Sequence, residues 1–135
     1  LEMYEDTYVG TCDGAVSFLE EVGHDCCGLN PDIGNFIRLH RPIEPVQDML
    51  DKVLPYANYW HVKNYLRDED PRTGQVMTFP VPMEFGLINY RAAISQALDL
   101  GFRGAFLCEH YGSDAVTVIG KNRAYVRDIL ATVID

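Results

Sequence analysis

The chain has 135 residues, of which 47% are hydrophobic, and its net charge is −9, with 20 acidic against 11 basic residues. This length and composition correspond to about one domain with a substantial hydrophobic core. No apolar run reaches the roughly 18–20 residues that span a bilayer. The acidic balance argues against a nucleic-acid surface, which needs clustered Lys and Arg.

Strand-like and helix-like patterns alternate along the chain. Short apolar or aromatic runs predict strands, and apolar residues at helical spacing, followed by Gly, predict helices. The predicted order is a strand end at 1–4, a helix at 14–22 with Asp13 as N-cap, a strand at 26–30, a helix within 41–56, a strand at 59–63, a helix at 88–100, a fully buried strand at 104–109 and a helix at 121–134. The sequence predicts a polar loop at 64–75 and an irregular arm at 76–86.

The cysteines Cys12, Cys26, Cys27 and Cys108 form no CxxC pair and no zinc-ribbon spacing. The last three lie in apolar runs, where a free cysteine behaves as a small buried side chain. We therefore expect reduced thiols in the core of a cytoplasmic protein. A disulfide or a redox role is the alternative.

The alternating order predicts βα units and a parallel sheet. Four units of about 30 residues correspond to half of an eight-stranded (β/α) barrel, whose usual size is roughly 250 residues. The alternative, an open doubly wound sheet, favours a glycine-rich phosphate turn, and the sequence contains neither GxGxxG nor GxxxxGK. The chain opens on Leu1 rather than Met, so we expect a fragment, a processed chain or an excised domain.

Acidic residues and one histidine recur where the predicted strands end. They are Glu2, Asp32, His61 and Glu109, and Lys63 follows His61 by two residues, on the same face of the strand. The C-terminal strand ends of a parallel barrel meet at one rim, where a divalent cation offsets the repulsion between carboxylates. Such a donor set favours Mn²⁺ or Mg²⁺, with Co²⁺ and Zn²⁺ as alternatives. Any one of these residues alone is better explained as a rim residue in an ion pair or a helix cap, and it is their repeated placement that favours a metal site.

Three motifs carry a resemblance to a known family: "GLNPDIGN", "YWHVKNYLRDED" and "CEHYG". With "LEMYED" at the start, they resemble the sugar phosphate isomerase/epimerase family of xylose isomerase-like TIM barrels. The resemblance implies that residues 1–135 are the C-terminal half of such a barrel, as a single partial domain. It implies metal ligation by Glu2, Asp32, His61 and Glu109, with the two glutamates also moving the substrate proton.

The same resemblance implies a substrate- or metal-site role for Arg67, six residues after His61, and a substrate contact for Asn35, which stands where some relatives have histidine. Lys63 is expected to neutralise charge or to hold a substrate group, and His110 to line the pocket. The expected reaction is isomerisation or epimerisation of a sugar or sugar phosphate, in which a proton is removed next to a carbonyl and a metal ion stabilises the enediolate.

Other functions fit the same residues. A dehydratase or lyase acting on a cyclic polyol or keto acid would use the same ligands, and a non-catalytic half-barrel would only bind metal or sugar. An abasic-site endonuclease is disfavoured, because it needs several histidines and a basic groove. We expect a small-molecule sugar substrate and no nucleic-acid or membrane partner. We also expect a homo-oligomer, or dependence on an N-terminal half.

Overall fold

A computed structural model describes residues 1–5 and 8–133. Five helices are named here in chain order: α1 Cys12–Val22, α2 Gly34–Ile37, α3 Val46–Val53, α4 Tyr90–Asp99 and α5 Ala115–Val133. The strands are β1 Trp60–Val62, β2 Asn64–Glu69, β3 Val76–Val81 and β4 Phe106–Cys108, and short 3₁₀ helices cover Leu54–Tyr56 and Met83–Phe85. None of the described helices is both long enough and apolar enough to cross a membrane.

The parallel part of the fold consists of four segments side by side in chain order. Glu2 bridges Asn30 and Leu29 bridges Ala57, both in parallel, and β1 pairs in parallel with β4. This order of consecutive parallel segments is that of a (β/α)₈ barrel, as the βα alternation predicts. The chain therefore has the predicted barrel fold, of which it forms a part.

The first two predicted strands are shorter than the sequence indicates. Each is reduced to isolated bridges. In the second, the chain turns just before Gly28, where the backbone N–H of Cys27 donates to the carbonyl of His24. Cys26 and Cys27 are consequently exposed rather than buried, so the prediction of core thiols is wrong for this pair. Cys12 is buried and Cys108 is half-buried.

The stretch predicted as a polar loop and an irregular arm is a β-hairpin. β2 and β3 pair antiparallel from Asn64–Val81 to Glu69–Val76. The turn contains Gly74, whose φ of 69° lies in the left-handed region that glycine adopts without strain. The N–H of Gly74 donates to the Asp70 carbonyl. Pro80 is tolerated because β3, in the described chain, pairs only with β2 and needs no donor on its other edge. The acidic residues that suggested a loop lie at the exposed end of the hairpin.

The helices follow the predicted pattern with shifted ends. α1 is capped by the side chain of Thr11, not by Asp13, and ends at Gly23, whose φ is 57°. Its buried residues are Cys12, Ala15 and Leu19. α5 begins at Ala115 rather than at 121, and the last predicted helical residue, 134, lies outside the described residues.

The core surrounds Trp60, which is 0% exposed. Its ring packs against those of Tyr90, Phe102 and Phe106, with centroids 5.6–6.1 Å apart. β4 is less buried than predicted, since Leu107 is 44% exposed. The prediction of a fully buried strand is wrong because, within the described chain, β4 is paired on one side only.

Candidate metal centre

Four side chains with oxygen or nitrogen donors meet at the C-terminal ends of the parallel segments. Glu2, Asp32, His61 and Glu109 each offer one ligand atom, and these atoms all lie within 4.8 Å of one another. Nδ1 of His61 lies 2.9 Å from Glu109 Oε1, 3.3 Å from Glu2 Oε1 and 3.9 Å from Asp32 Oδ2. The structure thus brings together the four residues whose spacing predicts a metal site.

Two asparagines position this cluster through the backbone. The side-chain oxygen of Asn30 accepts a 2.7 Å hydrogen bond from the backbone N–H of His61. Nδ2 of Asn35, which is 1% exposed, donates to the carbonyl of Met3 at 3.0 Å. The bond from His61 to Asn30 fixes the backbone of β1 at His61, and the bond from Asn35 to Met3 fixes the segment that carries Glu2.

Lys63 lies inside the cluster rather than at its edge. Its ammonium contacts Asp32 Oδ2 at 2.6 Å and Glu109 Oε2 at 2.7 Å, and its side chain is 2% exposed. Burial lowers the pKa of Lys63, but Asp32 and Glu109 raise it more, so it stays above its ordinary value. Three carboxylates against one ammonium still leave the cluster with excess negative charge.

Asp32 is the least accessible member of the cluster, at 0% exposure. Burial raises the pKa of Asp32 to about 6, while Lys63 opposes part of this shift and Glu109 and Glu2 add to it. A buried carboxylate tends to stay neutral unless a cation compensates its charge. The electrostatics of the apo cluster therefore favour a further cation.

A divalent cation fits the donors that these residues leave unused. Among the described residues, Oδ1 of Asp32 and Nδ1 of His61 are buried and have no hydrogen-bond partner. The Glu109 oxygen close to Nδ1 lies within contact distance but outside hydrogen-bond geometry. Three carboxylates with one imidazole form an oxygen-rich donor set, which suits Mg²⁺ or Mn²⁺.

Three residues support Lys63 in ways that its spacing from His61 does not reveal. The Tyr90 hydroxyl donates to the Lys63 carbonyl at 2.7 Å and accepts from its N–H at 3.1 Å. A Cβ on Gly34 would lie 2.7 Å from Lys63 Cγ, so this glycine allows the close approach. The ring centroid of Tyr111 lies 4.8 Å from the ammonium. Only Tyr111 has a sequence signal, its position two residues beyond Glu109.

A match to a family model shows which protein family this chain belongs to. A model described as "Xylose isomerase-like TIM barrel" matches residues 1–131, nearly the whole chain. The chain belongs to the xylose isomerase-like TIM barrel family. This family includes sugar isomerases and epimerases.

Two solved structures of xylose isomerase-like proteins are similar to this chain. A xylose isomerase-like TIM barrel protein from Mycobacterium smegmatis, crystallised in complex with magnesium, is 53% identical over 100% of this chain, with a TM-score of 0.98. A xylose isomerase domain protein from Planctomyces limnophilus is 20% identical over 99%, with a TM-score of 0.73, and supports the fold alone. This chain spans 44% and 47% of their respective lengths. A comparison with curated proteins gave no match.

The remaining predicted site residues of this xylose isomerase-like chain have other contacts in the structure. The Arg67 guanidinium donates to the carbonyls of Ile37, the last residue of α2, and of Leu39 and Arg41, which follow α2. His110 is half-buried, and its ring lies so close to Gly112 that a Cβ there would come within 2.3 Å of Nε2. Their roles in substrate binding, and that of Asn35, stay predictions.

Arg67→Ala is expected to lower the free energy of unfolding by about 3 kcal/mol, because partly buried carbonyls lose their donor. The Arg67 side chain is only 5% exposed. Chemical denaturation measures the loss, and Arg72→Ala is the control, since that side chain is 87% exposed and should change stability by less than about 0.5 kcal/mol. An unchanged stability with a raised KM for sugar would instead favour the substrate role predicted from the sequence.

Proposed function

We propose that this chain carries the metal centre of a divalent-metal-dependent sugar isomerase or epimerase. The chain corresponds, in this proposal, to the C-terminal half of the barrel. Family membership supports the reaction class, and the magnesium complex of the 53% identical Mycobacterium smegmatis protein supports the metal. Mg²⁺ or Mn²⁺ is the proposed ion, with Glu2, Asp32, His61 and Glu109 as its ligands.

The observation that carries the proposal is the unequal exposure of the three carboxylates. Asp32 is 0% exposed, whereas the side chains of Glu109 and Glu2 are 23% and 44% exposed. A buried carboxylate can hold an ion but cannot reach a substrate, and accessible ones can do both. Asp32 is therefore assigned to ligation alone, and the two glutamates to ligation and proton transfer.

The bound ion would supply Lewis-acid stabilisation of negative charge on a substrate oxygen. Glu109 and Glu2 would remove and return the proton on the carbon next to the carbonyl, each acting as general base and then general acid. Lys63, held between Asp32 and Glu109, keeps both carboxylates oriented and limits the negative charge near the substrate. The ring of Tyr111 lies over that ammonium, with its centroid 4.8 Å from the nitrogen.

Solvent-deuterium exchange tests this proposal. The protein with the rest of the barrel present is incubated with Mn²⁺ and a panel of ketoses, aldoses and inososes in D₂O, and NMR follows the carbon next to the carbonyl. We expect deuterium at that carbon together with an isomer or epimer, and neither after chelation of the metal. A dehydrated product would favour the dehydratase alternative, and binding without exchange would favour a non-catalytic module.

A further inference from the structure

A cleft of about 430 Å³ opens beside the metal centre, on the side of the β2–β3 hairpin. It is lined by three tyrosines together with Arg38, His40, Thr78 and Pro80. The tyrosines are Tyr4, Tyr65 and Tyr111, and each follows a residue of the cluster by two positions: Glu2, Lys63 and Glu109. Residues two positions apart in extended backbone point to the same side, so each tyrosine is expected on the side of its cluster residue.

The cleft and the metal centre are continuous through Tyr111. The ring of Tyr111 lines the cleft, and its centroid is 4.8 Å from the Lys63 ammonium, which contacts Asp32 and Glu109. A molecule whose reacting end lies at the carboxylates would therefore extend its other end across this ring. The opposite wall belongs to the hairpin, which is fastened here by hydrogen bonds from Thr78 Oγ1 to the Arg38 carbonyl and from His40 Nδ1 to the Val76 carbonyl.

The surface of the cleft suits a carbon chain or ring that carries hydroxyl groups. Tyr111 is 66% exposed and Tyr4 is 41% exposed, so each presents an aromatic face and edge to solvent. Apolar faces combined with a few polar groups are typical of small-molecule sites, and the tyrosine hydroxyls add hydrogen-bonding capacity.

The charge of the cleft decides between an uncharged and an anionic ligand. The guanidinium of Arg38 lines the cleft. Its Nη2 forms a close ion pair with the Glu5 carboxylate and donates to the Tyr4 hydroxyl at 3.0 Å. The Glu5 side chain is 14% exposed, so its charge is held beside the guanidinium. A phosphate group is normally bound by cations that have no competing carboxylate, or by a helix N-terminus. Here it would approach Glu5 and the excess negative charge of the metal centre.

We propose that this cleft binds the hydroxylated, uncharged end of the substrate, and that Glu5 makes the site select an unphosphorylated sugar or polyol over its phosphate ester. This inference rests on the proposed function and narrows its substrate class. Glu5 acts through Arg38, whose charge it compensates, and is therefore a specificity-determining residue that need not touch the substrate.

Removing the charge of Glu5 tests the inference. Dissociation constants for D-fructose and D-fructose 6-phosphate are measured by calorimetry with the Mg²⁺-loaded protein, its Glu5→Gln variant and the matched control Glu21→Gln, an exposed carboxylate on α1. We expect the unchanged protein and Glu21→Gln to bind the free sugar at least about tenfold more tightly than the phosphate. Glu5→Gln should reduce or reverse that ratio by about tenfold, because Arg38 becomes available to the phosphate.

A second pair of variants tests whether the sugar lies in this cleft at all. Tyr111→Ala should weaken sugar binding by about tenfold, whereas Tyr111→Phe, which keeps the ring, should retain most of it. Sugar binding is compared at Mg²⁺ concentrations that saturate each protein, because the Tyr111 ring also lies close to Lys63. Equal sugar affinities in Tyr111→Ala and in the unchanged protein would overturn the location of the subsite.

The outcomes separate this inference from the proposed function. Tighter binding of the phosphate by the unchanged protein, or a Glu5→Gln ratio equal to that of Glu21→Gln, overturns the inference and leaves a metal-dependent isomerase intact. Failure of the Mg²⁺-loaded protein to bind or exchange any sugar overturns the proposed function itself.

Discussion

Replacing Asp32 by Asn is expected to weaken Mg²⁺ or Mn²⁺ binding by at least about a hundredfold, since even the loss of a residue that supports a ligand costs 10–100-fold. Glu109→Gln should have the same effect. Each change keeps the shape of the side chain and removes a charged oxygen from a cluster whose ligand atoms lie within 4.8 Å of one another. Metal content after dialysis, measured by elemental analysis, reports the loss directly.

The controls for this experiment are the exposed acids Asp128→Asn and Glu21→Gln, which make the same chemical changes on α5 and α1. They should keep the metal content of the unchanged protein. Circular dichroism of the apo variants separates lost binding from lost folding. Full metal content in both Asp32→Asn and Glu109→Gln would rule out the shared site.

Lys63→Met is expected to destabilise the apo protein by about 3 kcal/mol, because removing one partner of a buried ion pair leaves the other without compensation. Asp32 and Glu109 both lose their ammonium contact. Saturating Mg²⁺ should recover most of the loss, since the ion supplies the missing positive charge. Thermal unfolding with and without Mg²⁺ measures both effects.

The pH dependence of the stability of Lys63→Met follows from the direction in which the pKa of Asp32 is shifted. Burial already raises the pKa of Asp32 to about 6, and Lys63 opposes the rise, so the substitution raises it further. A carboxyl group with a raised pKa in the folded state stabilises the fold at low pH and loses that contribution as pH rises through the folded value. The deficit of Lys63→Met should therefore be smaller at pH 5 than at pH 8.

Lys52→Met is the matched control for the loss of a paired lysine. Lys52 pairs with Asp13 and Glu44, but its side chain is 35% exposed. Exposed pairs contribute about 0–1 kcal/mol. Equal losses in the two variants, or a Lys63→Met deficit that Mg²⁺ leaves unchanged, would contradict the assignment of Lys63 as the internal counterion of the metal centre.

The barrel fold and the four candidate ligands follow from local patterns. Alternating strand-like and helix-like segments predict parallel strands, and parallel strands place their C-terminal ends at one rim. A carboxylate or imidazole at each of those ends is then visible without coordinates, as with Glu109 after the apolar run 104–108. The barrel fold is confirmed, and the four residues do converge, because each step uses only the identity and spacing of neighbouring residues; their role as ligands stays a prediction.

The hairpin and the carbonyl contacts of Arg67 are not visible to the same reasoning. The charged residues at 67–72 are typical of a loop, and no sequence pattern shows that β2 and β3 pair through a turn at Gly74. The donors of Arg67, for which the resemblance implies a site role that stays a prediction, reach the carbonyls of Ile37, Leu39 and Arg41, about 30 residues earlier in the chain.

The amino-acid sequence by itself determined the alternation of strand-like and helical segments that gives the barrel, and which residues stand at the ends of the parallel segments, because both depend on periodicity and spacing. Only the tertiary structure decided that Lys63 joins Asp32 and Glu109, contacts that span 31 and 46 residues. It also decided that Tyr4, Tyr65 and Tyr111 share one cleft with the paired Arg38. Such contacts depend on how segments that are distant in the sequence pack around the core, and local residue patterns do not show which distant segments meet.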